Sequence, residues 1–377
     1  MIPCQRHLFD IPVDVAYFNC AFTSPLLNAA KTAAQKALTT KAHPWTLGAA
    51  DFFDSAEEAR GLFARLIGAS ADDIALVPAV SYGIALAARN LPVDPGQHIL
   101  VLQHQFPSNV YSWRRLARER GAEIRTVAQP EDHDWTRAVL AAMDEKTAIA
   151  ALPQCHWTDG ALLDLEQIGA ACRAVGAALV VDGIQSLGAM VFDLARVQPD
   201  ILVAASHKWL LGAYSCGFCY LAPKWQSGIP LEENWLNRAG SEDFSRLVDY
   251  RDGYQAGARR FDMGECSNFI LTPVAAEGLR QILAWGVAEI AETLARYTHD
   301  IARRARDLGF QVPPPDQSAP HLIGITKPGG FKPDLPAQLA AQKVMVGVRG
   351  EAIRIAPHLY TSDADMQRLF RVMAAAA

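Results

Sequence analysis

Short, continuous runs of apolar residues recur through the first two thirds of the chain, separated by segments with helical spacing. The runs lie at Ile74–Val77, Ile99–Leu102, Ala148–Leu152, Ala178–Val181, Ile201–Ala204 and Gly217–Leu221. They do not alternate with polar residues, which is typical of strands that are covered on both faces. The segments predicted as helices between them include Ser55–Ile67, Ser108–Arg120 and Leu165–Val175. This order of elements predicts an α/β domain built on a largely parallel sheet.

The pattern changes near Cys266. The predicted elements that follow are a long helix, a proline-rich turn, a strand and a last helix, at Pro273–Leu308, Pro313–Pro315, Ala352–Ile355 and Asp363–Ala375. We therefore expect a large domain at residues 20–274 and a smaller C-terminal domain at 275–377, which residues 1–19 join.

Length and charge narrow the classes of function. The chain has 377 residues, with 35 Lys and Arg against 40 Asp and Glu, so its formal net charge is −5. This mild acidity argues against nucleic acid or an anionic membrane as the main partner. No apolar run is long enough to cross a bilayer, and the first residues lack the apolar core of a secretory signal. We therefore expect a cytoplasmic protein.

Seven cysteines are scattered along the chain, an odd number that does not indicate a disulfide framework. Cys216 and Cys219 have CxxC spacing, but they lie in a predicted strand rather than at a helix N-terminus, where a redox pair is expected. A zinc site would need two more ligands nearby, and the sequence has none there. We expect no metal site and interpret the pair as buried thiols.

Ligands of parallel sheets bind beyond the carboxyl ends of the strands, so residues that follow the apolar runs are the first candidates for chemistry. Asp182 ends one run and begins the motif Asp-Gly-Ile-Gln. A buried carboxylate needs a cationic or hydrogen-bonding partner. A protonated pyridinium nitrogen would be such a partner, with Gln185 in reach of the ring's phenolic oxygen. Taken alone, Asp182 is better explained as a helix cap.

Lys208 follows the next apolar run, 26 residues after Asp182, which is the length of one further helix and strand. A lysine at the end of a core strand is partly removed from water, and this lowers the pKa of its amine. Near neutrality such an amine can form an imine. The neighbouring Ser206 and His207 offer donors suited to a phosphate.

Two further segments fit a phosphate-bearing ring. Val80 and Ser81 follow the first run and begin a helix, whose first amides suit a phosphate, although serine caps many helices without a ligand. Phe106 follows the second run, where an aromatic side chain can lie flat on a cofactor ring. A core aromatic explains Phe106 equally well.

Together these residues resemble the class V aminotransferases, a family of fold-type I pyridoxal phosphate enzymes that includes cysteine desulfurases, kynureninase and isopenicillin N epimerase. The matching pieces are Val-Asp-Gly-Ile-Gln at 181–185, Ser-His-Lys-Trp at 206–209, the Val80-Ser81 turn and Arg-Ile-Ala-Pro-His from Arg354. Their order and spacing fit along nearly the whole chain. The resemblance implies a large domain with a mainly parallel seven-stranded sheet and a smaller C-terminal α+β domain.

The resemblance also implies roles around the cofactor, pyridoxal 5′-phosphate. Lys208 would carry it as a Schiff base, Asp182 would pair with the pyridinium nitrogen, and Gln185 would contact the ring hydroxyl. Phe106 would stack on the ring, where cysteine desulfurases carry a histidine. The phosphate would be held by Val80, Ser81, Ser206 and His207.

On the substrate side, the resemblance implies that Arg354 binds the α-carboxylate, which suits a guanidinium fork. A surface arginine on an edge strand is the less favoured explanation. Asn19 resembles the family's N-terminal pocket segment. Trp157 replaces the family's asparagine beside the cofactor, so we expect His156 and Trp157 to shape a substrate pocket.

The chain departs from the desulfurases because no cysteine follows Cys266, which leaves the persulfide mechanism without an obvious nucleophile. A threonine near Gly264 that the family often offers to the neighbouring subunit's phosphate is also absent. The expected protein is a homodimer with active sites at its interface, acting on an amino acid. Transamination is the first expectation; β-elimination, C–S cleavage and epimerisation are alternatives.

Two other classes are less compatible with the residues. A nucleotide-binding oxidoreductase would need a glycine-rich turn after its first strand, and the sequence has no GxGxxG. A non-catalytic binding protein of the same fold is disfavoured by the presence of Lys208, Asp182 and Arg354.

Overall fold

The computed structural model of the protein describes residues 1–376. Its strands in chain order are β1 Ala16–Tyr17, β2 Ile74–Val77, β3 His98–Leu102, β4 Glu123–Val127, β5 Thr147–Pro153, β6 Ala178–Asp182, β7 Ile201–Ala205, β8 Gly217–Leu221, β9 Ile323–Ile325, β10 Val344–Met345, β11 Gly347–Arg349 and β12 Ala352–Ile355. The main sheet has seven strands in the order β2-β8-β7-β6-β5-β3-β4. Only β8 runs against the others in it. The predicted α/β class with a mainly parallel seven-stranded sheet is confirmed.

Helices lie between many of these strands, and the segments predicted at Ser55–Ile67, Ser108–Arg120 and Leu165–Val175 are helical over most of their length. The helices are α1 Asn28–Ala42, α2 Asp54–Ile67, α3 Val80–Asn90, α4 Tyr111–Arg120, α5 Trp135–Ala142, α6 Leu165–Val175, α7 Leu194–Val197, α8 Leu271–Trp285, α9 Val287–Asp307, α10 Leu335–Ala341 and α11 Asp363–Ala376. Helix α6 shows why such a segment is helical. The Asp164 side chain accepts the N–H groups of Glu166 and Gln167, and the helix ends at Gly176, whose φ is +75°.

The main sheet is covered on both faces. In β3, Leu100 and Leu102 pack into one apolar core, while Ile99 and Val101 pack into another on the opposite face. Successive side chains of a strand point to opposite faces, so a strand between two cores must be apolar at every position. The continuous apolar runs in the sequence follow from this burial.

The single long helix predicted at Pro273–Leu308 is two helices. Gly286 lies between α8 and α9 with φ +79°, a conformation that other residues adopt only with strain. Helix α8 contacts α1 and α2 beside the main sheet, whereas α9 contacts β9. The prediction was wrong because a glycine inside a helical pattern is compatible with continuation as well as with a stop.

The C-terminal part has its own antiparallel sheet, in the order β11-β12-β9, and its own apolar core. The N-terminal strand β1 pairs in parallel with β10, and Ala16 and Phe18 belong to that core. The division at residues 20–274 and 275–377 stays a prediction, and its last residue lies outside the described chain.

All seven cysteines are free thiols. Cys216 and Cys219 are buried, and burial raises the pKa of the Cys216 thiol to about 12. Within residues 1–376, no group of His, Cys, Asp and Glu side chains is arranged to hold a metal ion. A search of the same residues finds no helix with the length and apolarity needed to cross a membrane.

Candidate active site

Several of the residues singled out from the sequence leave the main sheet at the same edge. Asp182 is the last residue of β6 and pairs with Val203 of the adjacent β7. Strand β7 ends at Ala205, three residues before Lys208. Ala205 is in register with the first residue of β8, which is in register with Val77 at the end of β2. The segments around Asp182, Lys208 and Ser81 therefore start from the same side of the sheet.

Lys208 is buried, with 8% of its surface exposed. Burial lowers the pKa of its amine to about 8, against the smaller opposing effect of the Asp182 carboxylate. Its Nζ makes no hydrogen bond or ion pair with any residue of 1–376, and it lies 5.6 Å from the ring centroid of Phe106. An amine in this state is available as a nucleophile near neutral pH.

The Asp182 carboxylate is buried next to this lysine. Within the described chain its hydrogen-bond partner is the Ile184 N–H, 3.2 Å from Oδ1. Burial raises the pKa of the Asp182 carboxyl to about 6. A carboxylate in this environment gains from a cation supplied by a ligand, since its own surroundings compensate its charge only in part.

Gln185 is fixed by three polar contacts within the protein. Its Oε1 accepts the Trp209 indole N–H at 2.9 Å, its Nε2 donates to the Ala21 carbonyl at 3.0 Å, and its backbone carbonyl contacts the His321 ring nitrogen at 2.5 Å. An amide nitrogen carries two hydrogens. One hydrogen of the Gln185 Nε2 therefore remains for a ligand.

The turn into α3 presents unpaired donors. The N–H groups of Val80 and Ser81 donate to none of residues 1–376, and the Ser81 side chain is exposed. Gly83 brings this helix close to the sheet, because a Cβ there would lie 2.6 Å from the Val203 side chain. His207 is half-buried, and its Nδ1 is buried without a partner in the described residues. Burial lowers the pKa of His207 to about 4, so the ring is neutral near pH 7.

Ser206 differs from the expectation that it faces a phosphate. Its side chain is buried, and its hydroxyl donates to the Ala213 carbonyl at 2.6 Å. A serine has one hydroxyl hydrogen. In this conformation the hydrogen is used inside the protein, so Ser206 would have to rotate to donate to a phosphate.

The aromatic rings of Phe106 and Trp157 are in contact, and Phe106 lies beside Lys208. Their rings meet edge to face, with centroids 5.2 Å apart at 84°. The Phe106 side chain is 40% exposed, which excludes the explanation that it is a core aromatic. The Trp157 indole N–H donates to the His104 carbonyl at 2.7 Å and fixes the ring.

Arg354 of β12 is almost fully buried, at 1% exposure, yet two of its nitrogens lack partners among the described residues. Nη1 donates to the Trp157 carbonyl at 2.9 Å, while Nε and Nη2 are unpaired. Burial lowers the pKa of Arg354 to about 9. Asn19 lies beside it, since a Cβ on Gly347 would be 3.2 Å from the Asn19 Oδ1 and 3.3 Å from the Arg354 Nε. A guanidinium edge left unpaired in this way fits a carboxylate.

The His156 ring is buried and has partners within the protein. Its Nδ1 is 2.6 Å from the Thr158 hydroxyl and its Nε2 is 3.1 Å from the Gln103 carbonyl. The ring stacks on Trp135 at 5.5 Å, and burial lowers its pKa. His156 is only 3% exposed, so it supports the loop that carries Trp157 from behind. Both of its nitrogens are already engaged by the protein, and the part of His156 in a substrate pocket stays a prediction.

Two residues at the site, His321 and Arg349, were missed in the sequence, and Trp209 was quoted in a matching motif without a role. Trp209 and His321 fix Gln185, and Arg349 lies with its guanidinium carbon 5.5 Å from the Trp157 centroid. The signal for Arg349 was its position five residues before Arg354 in Val-Arg-Gly-Glu-Ala-Ile-Arg, which is a short hairpin. No local pattern in the sequence marks His321.

Pyridoxal phosphate fits the polar atoms that the protein leaves unpaired. The Asp182 carboxylate suits a pyridinium N–H, one hydrogen of Gln185 suits the ring hydroxyl, and the free amides at the start of α3 suit a phosphate. Buried polar groups without partners are uncommon in folded proteins, so their concentration here indicates a polar ligand.

Comparisons with known proteins agree with this geometry. The family model "Aminotransferase class-V" matches residues 17–371. The uncharacterized aminotransferase YcbU of Bacillus subtilis is 25% identical over 85% of this chain and 84% of its own. An isopenicillin N epimerase of Streptomyces clavuligerus is 30% identical over 60% of this chain and 55% of its own.

Solved structures share the fold. A cysteine desulfurase from Thermococcus onnurineus superposes with a TM-score of 0.86 at 19% identity and covers 100% of this chain and 98% of its own. A cystine C–S lyase complex reaches 0.85 at 19% identity, over 96% of this chain and 98% of its own. With a family model that spans nearly the whole sequence, the chain belongs to the class V aminotransferase family of pyridoxal phosphate-dependent enzymes.

Proposed function

We propose that the protein is an aminotransferase that acts on an α-amino acid. The observation that carries the proposal is the amine of Lys208, which is buried and unpaired among residues 1–376. Its pKa is shifted by a buried acid, Asp182, and by an arginine with unpaired nitrogens, Arg354. This combination supplies a covalent anchor, a partner for a protonated ring and a carboxylate site.

Each residue has a distinct task in the proposal. Arg354 binds the substrate carboxylate through Nε and Nη2, and Trp157 closes the side of the pocket. Bound pyridoxal phosphate would supply an electron sink for the bonds at the α-carbon. Lys208 would then take the proton from the α-carbon, which its pKa of about 8 permits near neutral pH.

The proposal uses Lys208 as its single base. The groups that shift its pKa are Asp182, Arg354, Arg349 and Cys20. Burial raises the pKa of Cys20 to about 12, so this thiol does not exchange protons near neutrality. Transamination can move a proton along one face with a single base, whereas a two-base epimerisation uses a second base on the opposite face. Transamination therefore needs no base beyond Lys208.

Lyase chemistry, by β-elimination or C–S cleavage, also needs only one base and is the alternative to test. A cysteine desulfurase is disfavoured, since no cysteine follows Cys266 and burial raises the pKa of the Cys266 thiol. Both reactions use the same base, so a lyase would differ from an aminotransferase in acting on a substrate that carries a leaving group.

The test is spectroscopic and chemical. Purified protein should be yellow, lose the colour with borohydride, and then carry a pyridoxyl group on Lys208 by mass spectrometry. Amino acids that change the spectrum should yield a 2-oxo acid without ammonia or sulfide if the enzyme is an aminotransferase. Release of ammonia or sulfide would favour a lyase instead. Unmodified Lys208 after incubation with the cofactor would refute the assignment.

We further propose that the protein forms a homodimer with its active sites at the interface. Supporting this, Phe52 lies with its ring 5.2 Å from Phe244 and 5.1 Å from Phe269, and the neighbouring Tyr250 is 98% exposed. Apolar groups of this kind at a surface are typical of contacts between proteins. Light scattering should give twice the mass of the chain, and a monomer at micromolar concentration would contradict the proposal.

A further inference from the structure

Two arginines point to the same side of the small sheet. In the pairing of β11 with β12, Gly347 lies opposite Arg354 and Arg349 lies opposite Ala352. Residues two apart in a strand share a face, so the Arg349 and Arg354 side chains leave the sheet on one face as diagonal neighbours. Such neighbours are about 7–8 Å apart. Gly347, between them, adds no side chain to that face.

Arg349 is directed towards the site. The Arg349 guanidinium lies over the Trp157 ring. The backbone carbonyl of Trp157 accepts a hydrogen bond from Arg354. The charge of Arg349 lowers the pKa of both Lys208 and Arg354. Within residues 1–376 it forms no ion pair, and its Nη1 donates only to the adjacent Val348 carbonyl, at 2.7 Å. Lys208, Arg349 and Arg354 are thus three cationic side chains that influence one another. Asp182 is the carboxylate that raises the Lys208 pKa against the two arginines.

A cavity opens beside this arginine. Its volume is about 850 Å³, and it lies between the loops after β4 and β5 and the small sheet. Trp157 and Arg349 both line it, as does Glu351, which is not paired with Arg349. Because Arg349 lines this cavity, a ligand can reach its guanidinium there.

We propose that Arg349 binds a second carboxylate, carried at the end of the substrate's side chain, so that the substrate class is a dicarboxylic α-amino acid and its 2-oxo acid. The proposal rests on the proposed function, because it takes Arg354 as the site of the α-carboxylate. The two guanidinium groups would hold the two ends of one substrate, with Trp157 against its middle.

The test compares two acids that differ by one carboxylate, glutarate and pentanoate, as ligands of the protein with its cofactor attached. Dissociation constants are measured by calorimetry, so no turnover is needed. We expect glutarate to bind at least about tenfold more tightly than pentanoate, since a charge-assisted hydrogen bond is worth this much. In Arg349→Met this ratio should fall to near one. In Arg354→Met both acids should bind more weakly.

A matched control removes an arginine elsewhere. Arg371 is exposed on α11, and Arg371→Met should retain the wild-type ratio of the two dissociation constants. The same ratio in Arg349→Met as in the wild type, or equal binding of the two acids by the wild type, would overturn the second-carboxylate site while leaving the proposed function intact. If Lys208 carries the cofactor but neither acid binds, the assignment of Arg354 fails, and the proposed function fails with it.

Discussion

The indole N–H of Trp209 donates a 2.9 Å hydrogen bond to the Oε1 of Gln185, which fixes the direction of the glutamine amide beside the proposed cofactor ring. Trp209→Phe keeps an aromatic ring and removes this donor. The buried Oε1 would then lose its partner, and the amide would lose its fixed orientation. We expect pyridoxal phosphate to bind about tenfold more weakly, measured from the absorbance of protein dialysed against decreasing cofactor concentrations.

A control for this change is Trp225→Phe. Trp225 also donates from its indole, to Asp200 at 2.7 Å, but Asp200 directly precedes β7, whereas Lys208 follows the opposite end of that strand. Cofactor affinity should be the same as in the wild type. An equal loss in the two variants would point to a general effect on folding rather than to the orientation of Gln185.

The lowered pKa of Lys208 predicts the pH dependence of cofactor attachment. Only the neutral amine reacts, and burial lowers its pKa from 10.5 to about 8. The rate at which the apoprotein takes up pyridoxal phosphate covalently should therefore rise up to about pH 8 and then level off. Stopped-flow absorbance from pH 6 to 10 measures it. A rate that keeps rising tenfold per pH unit to pH 10 would contradict the lowered pKa.

Because the Asp182 carboxylate raises the Lys208 pKa, Asp182→Asn should move the midpoint of this pH dependence to lower pH.

Because the pKa of Asp182 is raised, its contribution to the free energy of unfolding should fall as pH rises, the opposite of what most carboxylates do. Burial raises this pKa to about 6 from 3.8, so the folded apoprotein holds its proton more tightly than the unfolded chain does. Stability is then lost as pH rises through that interval. We expect Asp182→Asn to stabilise the apoprotein relative to the wild type by about 1 kcal/mol more at pH 8 than at pH 5. Urea unfolding measures the difference, and an advantage that does not change with pH would refute the shift.

Arg60 and Asp262 form a buried pair that joins α2 to the end strand of the main sheet. The Arg60 Nη2 lies 2.6 Å from the Asp262 Oδ2, and the Asp262 Oδ1 accepts the Leu76 N–H at 2.7 Å. Arg60→Met leaves the carboxylate buried without its cation, which costs about 3–5 kcal/mol of unfolding free energy. The double variant Arg60→Met, Asp262→Asn should recover much of this loss in urea unfolding. No recovery would show that packing of the arginine, rather than charge, sets the cost.

The buried thiols should be inert in the folded protein. Cys4 is the exposed cysteine, while the other six are buried and burial raises the pKa of the Cys20, Cys172 and Cys216 thiols to about 12. Iodoacetamide at pH 8 should modify one thiol per chain, and all seven in urea, as counted by mass spectrometry. Rapid modification of Cys216 or Cys219 in the native protein would instead favour a reactive CxxC pair.

The sequence was sufficient for the parts of the fold that depend on local pattern and chain order. Asp182 and Lys208 follow consecutive apolar runs, and consecutive parallel strands are usually neighbours, so their meeting at one sheet edge was predictable. The burial of His156 could not be predicted because it depends on Trp135 of α5, a contact that no spacing reveals. The partner of the Ser206 hydroxyl could not be predicted because it depends on a single side-chain rotation towards Ala213.

The pairing of β1 with β10 constrains when the pocket can exist during synthesis. Asn19 is bridged to Ala356, so the first and last parts of the chain meet at the proposed carboxylate site. A growing chain that has emerged only as far as the main sheet already contains Asp182 and Lys208, but it has neither Arg354 nor a strand for β1 to join. This contact closes a loop of more than 300 residues, so the proposed carboxylate site needs both ends of the chain, whereas the seven strands of the main sheet lie within residues 74–221. The residues proposed to hold the cofactor therefore emerge during synthesis before the arginine proposed to select the substrate.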